Sequence, residues 1–120
     1  MALCELLVLH PHRVVATIAG LASSGAAIVA MGADLRCIAP GARIMLHQAR
    51  ASVVDVTADE LRPIVDDLDT VDRLAAAIFS QANGRTPECV AAWEQASMTF
   101  DAREAIAAGL AHEPIGSRGA

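Results

Sequence analysis

Residues Arg13 to Ala19 read Arg-Val-Val-Ala-Thr-Ile-Ala, and this β-branched, almost wholly apolar run limits the possible folds more than any other feature. It fits a strand buried on both faces of a sheet. Gly20 ends the run, and a turn of small residues follows, Gly20-Leu21-Ala22-Ser23-Ser24-Gly25-Ala26. From Ser23 or Ser24 to Met31 the side chains are small and apolar all round, as in a buried helix closed by Gly32. Leu35 to Ala39 reads as a second strand, Pro40-Gly41 as a turn and Ile44 to Gln48 as a third strand. Alternating strands and helices of this kind indicate an α/β architecture.

The flanking segments fit the same plan. Ala2 to Leu9 resembles the last turns of a helix, stopped by His10-Pro11. Residues 49–56 lack a period and read as loop. Thr57-Ala58-Asp59-Glu60 is a capping box, with Thr57 as N-cap and Glu60 reaching back. It opens a long helix that buries Ile64, Leu68, Val71, Ala75 and Ile78, turns Asp66, Asp67, Asp69, Asp72 and Arg73 outward, and ends at Asn83-Gly84. Pro63 is placed to kink its first turns. Glu88 to Gln95 forms a short helix, and Asp101-Ala102-Arg103-Glu104 is a second capping box, opening a helix that Gly109 ends. Residues 115–120 are expected to fray, and the whole of 1–120 forms one domain.

Composition narrows the function. A net charge of −5 argues against nucleic acid or an anionic membrane as partner, and aromatics at 2% leave little to stack on bases. All nine basic residues are Arg, so a lysine nucleophile, a Schiff base and a Ser–Lys dyad are excluded. Cys4, Cys37 and Cys89 show no CxxC spacing, so free thiols in a reducing compartment are expected, with no zinc site. Asp34 and Arg36 interrupt the apolar stretch before it reaches the roughly 20 residues of a membrane span. The first residues carry Glu5 and no basic flank, unlike a signal peptide, and a cytoplasmic location is expected.

The chemistry centres on the serine turn and on His47. A hydroxyl where strand meets helix faces unpaired N–H groups that favour negative charge, and a histidine at the end of a nearby strand can deprotonate it. Acyl transfer needs both. The competing role for Ser23 or Ser24 is to cap the helix, and for His47 to fill a core or edge position. His10 and His12 flank a proline in a turn and are expected to be solvated; His112 receives no role. Candidates to orient the imidazole are Glu94 and Asp101, with Asp55 behind them, although Asp101 also reads as an N-cap and Glu94 as a solvated helix residue.

Four segments together resemble the proteolytic subunit of Clp protease (ClpP): Gly20 to Ala26, Arg36 through Pro40, Ala42-Arg43-Ile44-Met45-Leu46-His47-Gln48, and Glu104-Ala105 through Gly109-Leu110. The resemblance runs from about Val14 to Pro114 in the family's order. It implies a ClpP/crotonase-like fold, with the chain corresponding to the family's C-terminal two-thirds as a truncated or divergent member. The nucleophile falls on Ser23, with Ser24 as the alternative, and the base on His47. The N–H of Ser24 would be an oxyanion donor, and the helix from Ala58 to Gln81 would match the element that joins two heptameric rings. Ser97 falls at the position of the triad acid, where a hydroxyl cannot hold an imidazolium by charge; either Glu94 substitutes from a neighbouring turn, or the chain works as a slow dyad or not at all. The chain begins within what would be the helix before the nucleophile strand, so the family's Gly-Gly turn, source of the other oxyanion donor, has no counterpart in it.

The resemblance implies a serine endopeptidase subunit that cleaves unfolded polypeptide through an acyl-enzyme, without cofactor or metal. It also implies a homo- or hetero-oligomeric ring and an AAA+ unfoldase as partner. Two other classes compete: a non-catalytic ClpP-like subunit that assembles with an active paralogue, and an acyl-CoA-handling crotonase-like protein. Against the last stands Met45-Leu46-His47-Gln48, since that fold asks for no histidine there.

Overall fold

The computed structural model describes residues 2–23 and 25–116. Helix α1 (Ala2–Leu9) leads into β1 (Val15–Ile18), and after the corner at Ala19-Gly20 the chain forms a further strand, β2 (Leu21–Ser23). Helix α2 (Gly25–Ala30) then crosses over to β3 (Leu35–Ile38), which turns at Pro40-Gly41 into β4 (Arg43–Met45). The segment from β3 to β4 thus repeats the segment from β1 to β2: strand, sharp corner, strand. Its result is two three-stranded sheets, in the orders β1-β3-β6 and β2-β4-β5. The long α3 (Ala58–Asn83), α4 (Pro87–Gln95), β5 (Thr99–Asp101), α5 (Ala102–Ala107) and β6 (Glu113–Pro114) complete the chain.

Both corners are knitted across by backbone. Ala39 N–H donates to the Ile18 carbonyl at 2.9 Å, and Arg43 N–H to the Gly20 carbonyl at 3.0 Å. The register is therefore carried from one sheet into the other. In the first sheet β1 and β3 are parallel, with Val15 opposite Leu35; in the second β2 and β4 are parallel, with Ser23 opposite Met45. β5 runs antiparallel to β4, pairing Thr99 with Met45.

The α/β architecture read from sequence holds, with local corrections. β1 is not buried on both faces: Val15 is 52% exposed and only Ile18 is fully inside. The cause is position, since β1 is an edge strand among the described residues. α2 is buried only along Ala27 and Ala30 rather than all round. Gly32 serves by close approach rather than as a left-handed cap, because a Cβ there would lie 2.5 Å from the Cys4 carbonyl oxygen of α1. The third strand stops at Met45, short of Gln48. Of the expected tail, Ile115 N–H is held by the Ile38 carbonyl at 3.0 Å, and 117–120 lie outside the described residues.

Helix α3 departs most from its periodicity. Ala75, Ala76 and Phe79 are buried, but Ile64 and Leu68 are only half-buried and Val71 is 42% exposed. Its second half packs on α4 and α2, and its first half stands clear of the core, giving an elongated molecule of 58 × 30 × 25 Å. Thr57 caps it as expected through the Glu60 N–H, at 3.1 Å, while the Glu60 carboxylate accepts the Thr57 hydroxyl. The Asp101–Glu104 capping box of α5 is complete.

A buried cation ties the ends together. Arg36 on β3 is 3% exposed, and its guanidinium donates to the carbonyls of Leu110 (2.8 Å), Gly109 (3.1 Å) and Ala82 (3.3 Å). These carbonyls close α5 and the last turn of α3, where a positive charge meets the negative ends of both helices. Arg36 N–H donates to His112 Nδ1, and His112 N–H returns to the Arg36 carbonyl, both at 2.8 Å. Burial lowers the Arg36 pKa, and His112 is lowered by burial and then by Arg36. Replacing Arg36 by Met should strand carbonyls in the interior and cost about 3 kcal/mol or more. Arg36→Lys should recover only part of that, because one ammonium cannot reproduce the planar fork. Urea unfolding of the three proteins measures it.

Candidate active site

Ser23 is the half-buried last residue of β2, two positions before Gly25, where α2 opens. Its partner in the parallel register is Met45, and His47 follows two residues later. Ile44 (0% exposed) and Leu46 (2%) point into the core, while Met45 and His47 are half-buried, so an extended backbone carries the alternation beyond the end of β4. By this period Ser23, Met45 and His47 share one face of the sheet. No hydrogen bond joins Ser23 to His47 among the described residues. Ser24, the alternative nucleophile and the expected oxyanion donor, lies outside the described residues.

The backbone fixes the imidazole. His47 Nδ1 lies 2.7 Å from the Gln48 carbonyl, an oxygen that only accepts, so the ring proton sits on Nδ1. Nε2 is then left with its lone pair free, the tautomer that a general base requires. A carbonyl can hold that tautomer but has no net charge to set against an imidazolium.

Register carries Ser97 toward this histidine. The β4–β5 ladder extends one step, with Leu46 N–H donating to the Met98 carbonyl at 2.9 Å, so His47 and Ser97 are the next residue on each side. Ser97 is exposed and has φ of 50°, in the turn that closes α4. Asp101 caps α5 through the Glu104 N–H at 2.8 Å, and Asp55 is exposed in the loop before α3.

Glu94 is not the solvated residue expected from sequence. It is 3% exposed on the inner face of α4, where it lines a small cavity of about 40 Å³ together with His47, Met45, Ile28 and Asp72. Asp72, read from sequence as outward-facing, is half-buried and accepts the Ala49 N–H at 2.6 Å, fastening the segment after His47 to α3. Its position one turn before the buried Ala75 and Ala76 was the available signal. Burial first, then the charge of Asp72, pushes the Glu94 carboxyl up to about 7. A second cleft, of about 470 Å³, opens from Glu94 and Asp72 between α3 and α4. Cys4 is buried and Cys37 and Cys89 are partly buried free thiols; no group of three metal-ligating side chains occurs among the described residues. Nor, among them, is any helix long and apolar enough to cross a membrane.

Because Glu94 holds a proton in the folded state well above the 4.5 of an ordinary carboxyl, its contribution to stability is complete below about pH 4.5 and is lost as pH rises through about 7. Glu94→Gln should remove that loss. Relative to the parent, the variant should gain stability between pH 4.5 and pH 8, by at most about 3 kcal/mol, measured by urea unfolding at both.

Two comparisons with known proteins bear on these residues. The Clp protease family model matches residues 1–118. The ATP-dependent Clp protease proteolytic subunit 3 of Streptomyces coelicolor is 30% identical over 119 residues, which is 98% of this chain and 54% of that protein. The chain therefore spans about half the length of the curated relative it matches.

Proposed function

The chain belongs to the Clp protease family, and from that premise we propose that it is a ClpP-like serine peptidase subunit with Ser23 as nucleophile and His47 as general base. The observation that carries this reading is the β2–β4 register, which sets Ser23 beside Met45 with His47 two residues on. Nε2 of His47 would take the Ser23 proton as the hydroxyl attacks a peptide carbonyl, and would return it to the leaving amine. The resulting acyl-enzyme is hydrolysed by water through the same base. Substrate is unfolded polypeptide, and the first half of α3, with Leu61 and Val65 exposed, supplies surface for packing into a ring. An AAA+ unfoldase as partner and a cytoplasmic location accompany the reading.

The triad acid is weakened in this proposal rather than replaced. Ser97 brings no charge, and the Gln48 carbonyl fixes the tautomer alone. Changing the acid of a serine protease triad to an amide costs about 10⁴ in turnover, so slow chemistry is expected. That same observation favours the second reading, a non-catalytic subunit that assembles with an active paralogue.

A fluorophosphonate probe separates the two readings. The peptidase reading expects labelling that Ser23→Ala abolishes and Ser24→Ala preserves. His47→Ala should slow labelling by about 10²–10⁴-fold. No labelling of the folded, assembled protein would leave the non-catalytic reading.

A further inference from the structure

We propose that Asp72 of α3 is a positioning residue for His47: its carboxylate holds the Gln48–Ala49 peptide in place, and the carbonyl of that peptide keeps the imidazole proton on Nδ1. Its chemical purpose rests on the peptidase reading, but its geometry rests on two hydrogen bonds. Ala49 N–H donates to Asp72 Oδ1 at 2.6 Å, and His47 Nδ1–H donates to the Gln48 carbonyl at 2.7 Å. The donating N–H and the accepting C=O belong to one amide plane, on opposite sides of a trans peptide bond. Carboxylate, peptide and imidazole therefore form one chain, and turning the peptide would break both bonds at once.

The segment after His47 needs such a tether. Residues 47–56 form no helix or strand, and the ladder to β5 ends with Leu46 N–H on the Met98 carbonyl. Among the described residues, the Asp72 bond is the one hydrogen bond that ties 47–56 to another element. Without it, the Gln48 carbonyl would face Nδ1 only part of the time, and the imidazole would take either neutral tautomer. That loss bears on the chemistry, because an imidazole protonated on Nε2 has no lone pair there to offer the Ser23 hydroxyl.

Asp72 suits this task by place and by charge. It sits half-buried one turn before Ala75 and Ala76, whose burial fixes which face of α3 turns inward. A hydrogen bond from N–H to a carboxylate is also about twice as strong as one between neutral groups. The carboxylates singled out from sequence do not take this part. Asp101 caps α5, Asp55 is exposed, and Glu94 shares the small cavity with His47 and Asp72 but stands outside the chain of bonds.

Ring-nitrogen NMR of the whole protein, isotopically labelled in histidine, reads the tautomer without turnover, since protonated and lone-pair nitrogens resonate far apart. Spectra are taken at pH 8, where an ordinary imidazole, with a pKa of roughly 6.5, is neutral. His112 supplies an internal contrast, because its Nδ1 accepts the Arg36 N–H at 2.8 Å and its proton therefore sits on Nε2. The parent should show His47 with its proton on Nδ1. Asp72→Ala, with its fold verified by circular dichroism, should move His47 toward the Nε2–H form. It should also slow fluorophosphonate labelling by about 10–100-fold, the usual loss when a site histidine loses its outer support. Asp72→Asn keeps an acceptor oxygen for Ala49 N–H and should recover most of both signals. Asp69→Ala, at an exposed position one turn earlier on α3, should change neither. An unchanged His47 tautomer in folded Asp72→Ala, no recovery in Asp72→Asn, or an equal effect from Asp69→Ala would overturn the role of Asp72. Labelling with a tautomer indifferent to Asp72 sinks that role and keeps the peptidase. A tautomer that depends on Asp72, in a protein the probe never labels, keeps the positioning and sinks the peptidase.

Discussion

The parallel pairing of β2 with β4 is the constraint on which the rest depends. It is a short ladder, three residues on each side, and it works because the corners on both strands are tied to one another. The first sheet fixes where Ile18 and Ile38 lie; the cross-corner bonds then leave only one register for the second sheet. Since side chains alternate with a period of two, a slip of one residue would send His47 into the core and bring Leu46 out. Register is thus the link between a packing decision and a chemical one.

Two buried charged residues show opposite strategies. The Arg36 guanidinium is satisfied by carbonyls from two helix ends, and its backbone exchanges hydrogen bonds with His112, which brings the end of the chain back against β3. It closes the fold. Glu94 is enclosed beside Asp72, and burial, then the charge of Asp72, push its carboxyl up to about 7.

Much of the architecture was legible because local and tertiary preferences agree. Thr57 and the Asp101–Glu104 box cap helices as their spacing demands, His10-Pro11 ends α1, and the small residues after Gly20 admit a tight strand-to-helix junction. Other features depended on what lies alongside. Val15 and Val71 are apolar and follow the expected period, yet they are exposed because no described element covers them. β5 and β6 are two or three residues long, too short for periodicity to register. At the site, Ser23 and His47 could be named from motif and spacing. The tautomer set by the Gln48 carbonyl could not, since any residue offers a carbonyl, and the burial of Glu94 and Asp72 follows from how α4 docks on α3.

The account's central claim is that one sheet face presents the Ser23 hydroxyl to the free nitrogen of His47. The most direct measurement is the separation of Ser23 Oγ from His47 Nε2 in crystals soaked with a reversible peptide boronate. The account predicts boron on Ser23 and Nε2 within about 3.2 Å of an oxygen of the adduct. An unmodified Ser23, or an imidazole on the opposite face of the sheet, would contradict it.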